Sequence, residues 1–208
     1  MRCVQDSLNG LQLASQTSAL DIGCAIGRAS FELARYFQHV TAIDNSKQFI
    51  KIAKQLQQQR EFLYQIPQEG KRYSRHVANV PNGIEVDRVN FHFGDATVLF
   101  KEEETFDFVL AANIICRLKD PRGFLESIPQ IVSQKGILAV ASPYSWLEEF
   151  TPPHKWLGSE NTSAFEEIQE ILAPHFTLLR TFDLPFLIRE HARKYQWGIS
   201  QMSLWKRM

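Results

Sequence analysis

The stretch Ala19-Leu20-Asp21-Ile22-Gly23-Cys24-Ala25-Ile26-Gly27-Arg28 restricts the fold more than any other part of the chain. An apolar run ends in two glycines four residues apart and passes at once into a helix-like segment, which reads as strand, tight loop and helix N-terminus. Glycines there let the backbone turn sharply and approach a ligand, while the N–H groups that open the next helix point at it. A second apolar run, Val40-Thr41-Ala42-Ile43, ends in Asp44, seventeen residues past Gly27. A carboxylate at that place in a βαβ unit accepts from both hydroxyls of a ribose. Loop and acid together predict an α/β sheet that holds a nucleoside.

The usual dinucleotide loop reads G-x-G-x-x-G. Here Asp21-x-Gly23-x-x-x-Gly27 puts Cys24 and Ala25 between the glycines, and the glycine that hugs a pyrophosphate is missing. The spacing D-x-G-x-x-x-G, followed by an acid after the second strand, resembles the S-adenosylmethionine loop of Rossmann-like (class I) methyltransferases. That resemblance implies a cofactor site of Asp21, Gly23, Cys24, Ala25, Gly27, Asp44 and Asn45, with S-adenosyl-L-methionine as donor and S-adenosyl-L-homocysteine as product. For the loop alone, an ordinary strand-to-helix turn in a nucleotide-free protein is the alternative.

Further strands follow. Val89 to Phe93 alternates and runs into Gly94-Asp95-Ala96 at the ligand-binding edge, where Asp95 can accept from an adenine amino group. Phe106 to Ala111 ends at Ala112-Asn113, which completes the expected cofactor contacts. Asp120 before Pro121 caps a helix that Gly136 is expected to stop, and Ile137 to Ala141 is a fifth buried strand. Ser163-x-x-Glu166 is a capping box, and Phe176 to Phe182 and Ile199 to Trp205 are late strands. These elements predict a seven-stranded, mostly parallel sheet with an antiparallel last strand and helices on both faces, in a single domain over residues 1–208.

Between these strands, residues 1–18 read as a leading helix that covers the open side of the cofactor. Ala29 to Phe37 is one crossover helix, and a second buries Phe49, Ile52, Ala53 and Leu56. Pro67, Gly70, Pro81 and Gly83 punctuate residues 65–88, an insertion without periodicity. Residues 142–160 and 185–197 are expected to be substrate-side loops.

Composition excludes several classes of function. Lys plus Arg and Asp plus Glu number 23 each, so the chain has no electrostatic footprint for nucleic acid. Cys3, Cys24 and Cys116 form no C-x-x-C pair and the six histidines show no ligand spacing, so no metal and no disulfide framework are expected. No apolar run approaches the roughly 18 residues of a membrane span, and a soluble cytoplasmic protein is the expectation. No Ser/His/Asp or Cys/His signature is present, and methyl transfer needs none, because positioning alone supplies most of its catalysis. Cys24 reads as a small residue packed beside a helix start, with no covalent role. Substrate-facing groups should leave the carboxyl ends of strands four and five: Asn113, Arg117, Tyr144, Trp146, Glu148 and Glu149. Arg189, Arg193 and Tyr195 are expected to fold over the same pocket, the two arginines sharing one helix face.

The segments Asp21 to Arg35, Gly94 to Ala96, Ala111 to Asn113, Asp120 to Arg122, Ser142 to Thr151 and Ile188 to Gln196 together resemble one family. It is the C-terminal methyltransferase domain of the ovothiol-forming enzymes, the 5-histidylcysteine sulfoxide synthases. The resemblance implies transfer of a methyl to an imidazole nitrogen of 5-thiohistidine, also called 4-mercaptohistidine. It also implies an upstream iron-dependent sulfoxide synthase, as a domain or a partner, whose histidine ligands this chain lacks. In such a site Tyr144 would fix the ring plane and Glu148 or Glu149 the opposite ring N–H, Arg117 would pair with the sulfur, and Arg189 or Arg193 would take the carboxylate. Methylation of another small molecule, or a non-catalytic cofactor-binding module, is the alternative.

Overall fold

The computed structural model describes residues 2–95 and 104–208. Helix α1 (Arg2–Leu8) precedes β1 (Ser18–Ile22), α2 (Arg28–Leu33), β2 (His39–Asp44) and α3 (Lys47–Gln59). There follow β3 (Glu61–Glu69), β4 (Arg72–Asn79), β5 (Val89–Phe93), β6 (Phe106–Ala112), α4 (Pro121–Ser127), β7 (Val132–Ser142), α5 (Ala164–Leu172), β8 (Phe176–His191) and β9 (Lys194–Arg207). Seven of these strands form one sheet in the order β5-β2-β1-β6-β7-β9-β8. The strands β1, β2, β5, β6 and β7 pair in parallel, and β9 inserts antiparallel to both β7 and β8. This is the sheet that the alternation of apolar runs predicts.

The central strands are apolar throughout because each face of the sheet is covered, and the pleat sends successive side chains to opposite layers. Phe108, Leu110, Ile137 and Ala139 pack in one layer with Phe31 and Leu33 of α2 and with Ile50 and Ala53 of α3. Their neighbours Val109, Ala111, Leu138 and Val140 pack in the other with Phe124 of α4 and with Ile168 and Leu172 of α5. β1 has β2 on one side and β6 on the other, so the chain leaves its carboxyl end in two directions and opens a crevice there.

Four local expectations are corrected. The insertion at 65–88 is largely an antiparallel hairpin, β3 with β4, running from Glu61↔Asn79 to Glu69↔Arg72. Leu63, Tyr73 and Val77 on it are exposed, so no burial pattern marked it as strand. In α3 the inward residue is Ile50, while Phe49 is 44% exposed. Helix α4 ends at Ser127, before a short 3-10 turn that contains Pro129, and Gly136 lies inside β7. Residues 185–197 are not a loop with a helix face: β8 and β9 continue through them as a paired ribbon, with Arg189 opposite Tyr195.

Candidate active site

The loop after β1 is tied to β2 by its backbone, since Gly23 and Cys24 both donate to the Ile43 carbonyl, at 2.8 and 3.0 Å. Gly23 has φ 74°, and a Cβ there would stand 2.2 Å from Cγ2 of Ile114, so only glycine fits beneath that side chain. Gly27 caps α2 with φ 88°, and a Cβ on it would meet the Phe91 ring at 2.6 Å. Gly27 is therefore demanded by the core, and it does not line the crevice. Between the two glycines Ala25 takes φ 48°, a conformation that costs a residue with a side chain of order 1–3 kcal/mol. Its N–H donates to Asp44 Oδ2 at 2.9 Å, and the N–H of Ser46 donates to Oδ1 at 2.8 Å. Asp44 thus holds the loop in its bent shape, and each oxygen keeps a lone pair for a hydroxyl.

Two clefts open on this edge and share Gly23, Ala25, Ala112 and Asn113 as a common wall. One, of about 300 Å³, is lined by Ile43, Asp44, Asn45, Phe49 and Asp95, with Arg117 also on it. The other, of about 400 Å³, is lined by Asp21, Cys24, Arg2, Cys3, Leu184 and Phe186 among others. The first combines an exposed aromatic ring with carboxylates, the chemistry for a base and a ribose. The second holds a buried anion: Asp21 is 2% exposed and accepts from Ser30 Oγ at 2.6 Å. Burial pushes its carboxyl up from 3.8 to about 6, and the nearby Asp44 charge adds to the rise. A desolvated carboxylate facing a cleft is a socket for an ammonium. Burial also raises the thiols, Cys3 to about 11 and Cys24 further, so neither is a nucleophile at neutral pH.

Asn113 stands at the junction of the clefts with φ 60°, its N–H donating to the Ala141 carbonyl at 2.8 Å. Ser200 Oγ, on antiparallel β9, donates to Asn113 Oδ1 at 2.7 Å, which leaves the amide N–H₂ as the group free to turn to the clefts. Arg2, Phe49, Phe186 and Ser200 line the clefts without being singled out in the sequence, although the segments 1–18 and 185–197 that carry Arg2 and Phe186 are expected on the cofactor and substrate sides. Phe49 is expected inside its helix stripe and stands one position off it.

The expected substrate residues are dispersed. Tyr144 takes φ 51°, donates its hydroxyl to Gln201 Oε1 at 2.8 Å and is pushed up to about 12 by burial. That side chain is committed to β9 and lines neither cleft. Glu148 and Glu149 are exposed on the turn after it. Arg117 borders the nucleoside-side cleft, where its Nη1 donates to the carbonyls of Cys116 and Ser145 at 2.8 and 2.6 Å and its guanidinium lies 5.3 Å from the Phe150 ring centre. Arg189 and Arg193 are exposed near the turn of the β8–β9 ribbon and line neither cleft. Ala96 lies outside the described residues. Among the described residues, no group of three or more His, Cys, Asp or Glu gathers as a metal would require, and no helix is long and apolar enough to cross a membrane.

A doubly wound sheet with this strand order, a bent glycine loop after β1 and an acid at the end of β2 defines a Rossmann-like fold of the class I methyltransferase type. The chain belongs to the methyltransferase domain family, whose profile matches residues 20–140. The cofactor of that family and fold is S-adenosyl-L-methionine. Solved structures with the same fold include the N-methyltransferase NodS of Bradyrhizobium japonicum WM9 in complex with S-adenosyl-L-homocysteine, at 16% identity and TM-score 0.61, covering 99% of this chain and 84% of that one. A SAM-dependent methyltransferase of Methanosarcina mazei matches at 17% identity and TM-score 0.63, over 96% of this chain and 95% of its own. The protein PH0226 of Pyrococcus horikoshii OT3 matches at 17% identity and TM-score 0.60, over 100% of this chain and 89% of its own. No curated protein matches.

Proposed function

We propose that the chain is an N-methyltransferase that carries the methyl of S-adenosyl-L-methionine to an imidazole nitrogen of 5-thiohistidine. The observation that carries this reading is the junction at Gly23 and Asn113, where a nucleoside-type cleft meets a second, small cleft that holds a buried carboxylate, an arginine and an aromatic ring. The donor set fits the cofactor: Asp44 has lone pairs for the ribose hydroxyls, Phe49 offers a flat face to the base and Asp21 a partner to the amino-acid ammonium. The resemblance of Ser142 to Thr151 and of Ile188 to Gln196 to the ovothiol-forming enzymes supports the acceptor. A sulfoxide synthase acting earlier, as a domain or a partner, would supply its precursor, from which cleavage of the cysteine C–S bond and reduction of the sulfur by a thiol would release it.

Bound S-adenosylmethionine supplies an electrophilic methyl on a sulfonium. The chain's own part is to bind and aim. Asp44 would hold the ribose of the donor and Asp21 its amino-acid ammonium, with the wall shared by the two clefts between them. Asn113, with its amide turned by Ser200, can donate to an acceptor's sulfur or nitrogen and so select which ring edge faces the wall. A neutral imidazole already presents an in-plane lone pair, and the site needs to choose a tautomer more than to remove a proton. Arg2, whose guanidinium donates to the Pro185 carbonyl and which lines the larger cleft as Arg189 and Arg193 do not, is the arginine assigned to the carboxylate. Orientation of this kind contributes up to roughly 7–11 kcal/mol, which leaves no need for a side-chain nucleophile.

The test is turnover of 5-thiohistidine and of histidine with S-adenosylmethionine, read by mass spectrometry. A singly methylated thiohistidine formed at least tenfold faster than methylhistidine is expected, since a donor placed for the sulfur goes unpaired with plain histidine. Equal rates, or no product from either, would overturn the assigned acceptor.

A further inference from the structure

We propose that Phe186, laid across Gly198, is the platform on which a flat heteroaromatic acceptor stacks. The inference rests on the methyltransferase reading, because the larger cleft takes the acceptor on its Arg2 and Phe186 side, beside the donor's amino-acid end at Asp21, only if its neighbour holds the nucleoside. Phe186 and Gly198 are directly opposed in the β8–β9 register. A Cβ added at Gly198 would stand 2.6 Å from Phe186 Cζ and 3.1 Å from each Cε, so the ring lies on bare backbone. Gly198 has no left-handed φ to account for it. What it provides is room for a ring to lie flat against the strand, the arrangement in which an aromatic covers a strand glycine.

The pleat separates this ring from its neighbours. Leu187 and Trp197, the next opposed pair, point to the other face and are 61% and 66% exposed. Phe186 instead turns to the larger cleft and lines it beside Leu184 and Pro185. One face is against Gly198, so the surface it offers the cleft is the opposite face and edge. A wall meant only to be apolar would accept leucine at 186 and any small side chain at 198. The same cleft carries Arg2 and the Asn113 amide fixed by Ser200, so its occupant has a flat apolar body with polar groups on its edge. That combination describes a substituted heteroaromatic ring and not an aliphatic chain.

The test is a titration of the S-adenosylhomocysteine-loaded protein, ring-labelled at phenylalanine, with 5-thiohistidine, imidazole and proline, followed by NMR. The Phe186 signals are assigned by their loss in Phe186→Leu. They are expected to move with 5-thiohistidine or imidazole and to stay still with proline, whose ring has no π face. Phe186→Tyr should bind the ring probes as the parent does, whereas Gly198→Ala and Phe186→Leu should weaken them by ~10-fold, the worth of one aromatic pair. S-adenosylhomocysteine binding, measured by calorimetry, should persist in each variant, which shows that the protein is folded and loaded when the ring probes are titrated. Failure of the parent to bind S-adenosylhomocysteine would remove the methyltransferase reading beneath the proposal. Normal S-adenosylhomocysteine binding with unmoved Phe186 signals, or Phe186→Leu binding the ring probes like the parent, would overturn the platform alone.

Discussion

Replacing Asp21 by Asn should make the folded protein more stable at alkaline pH while it damages cofactor binding. Asp21 is buried and accepts from the hydroxyl and the backbone N–H of Ser30, and an Asn Oδ1 can keep the hydroxyl bond. Its carboxyl is raised from 3.8 to about 6, chiefly by burial. Between those values the folded protein holds a proton that the unfolded chain has released, so raising the pH costs stability; above about 6 both states are ionised and the loss is complete. At about 1.4 kcal/mol per pH unit, the gap corresponds to ~3 kcal/mol that the parent has in full below pH 3.8, retains in large part at pH 4 and lacks at pH 8. Denaturant unfolding of both proteins at the latter two pH values measures it. The difference in stability, variant minus parent, should grow by ~3 kcal/mol from acid to alkali. In parallel, S-adenosylhomocysteine should bind the parent more tightly as pH rises through about 6, because its ammonium needs the ionised carboxylate, and this dependence should vanish in Asp21→Asn. A stability difference that does not change with pH would refute the idea of a desolvated anion held ready for a cation.

Three further outcomes are expected. Asp44→Ala should weaken S-adenosylhomocysteine at least tenfold by calorimetry, since it removes both the ribose acceptor and the bonds that hold Ala25 and Ser46, each charge-assisted bond being worth roughly 1.5–3 kcal/mol; an unchanged Kd in a folded variant would remove the nucleoside assignment. Gly27→Val should lower thermal stability even without ligand, because the collision is with Phe91 in the core, and a variant that loses only cofactor affinity would contradict this. Arg180→Ala should loosen α1: its Nη2 donates to the carbonyls of Asp6, Ser7 and Asn9 at 2.7, 3.0 and 2.9 Å, and faster hydrogen exchange across α1 with weaker S-adenosylhomocysteine binding would follow, while unchanged exchange would deny the helix its role as a cover.

The parts of this fold that were legible in the sequence are those with one physical explanation. Ala19 to Ile22 and Phe108 to Ala111 are buried on both faces, so they read as apolar runs, interrupted only by Asp21 and ended by glycine or Asn. Helix starts were equally plain. Asp120 accepts from Gly123 N–H, and Ser163 and Glu166 make the reciprocal bonds of a capping box, as their spacing requires. The β3–β4 hairpin was not legible, since Leu63 and Val77 face solvent and its inner face is only partly buried and mixes Phe62 and Ala78 with polar Gln68, Ser74 and His76. The proposed cofactor residues from Asp21 to Asn45 are local in sequence. The proposed acceptor side gathers Arg2, Asn113, Phe186 and Ser200, which only the antiparallel return of β9 and the fold-back of α1 bring together. Arg189 and Arg193 misled because four-residue spacing implies a shared face in a helix, and the ribbon they occupy is a strand pair.

The most direct measurement of the central claim is a crystal structure with S-adenosyl-L-homocysteine and 5-thiohistidine. The account predicts ribose hydroxyls on Asp44, the homocysteine ammonium at Asp21, the sulfur at the wall shared by Gly23 and Asn113, and the imidazole ring flat on Phe186. A nucleoside lying elsewhere, or a thiohistidine bound against Arg189 and Arg193 outside the two clefts, would contradict it.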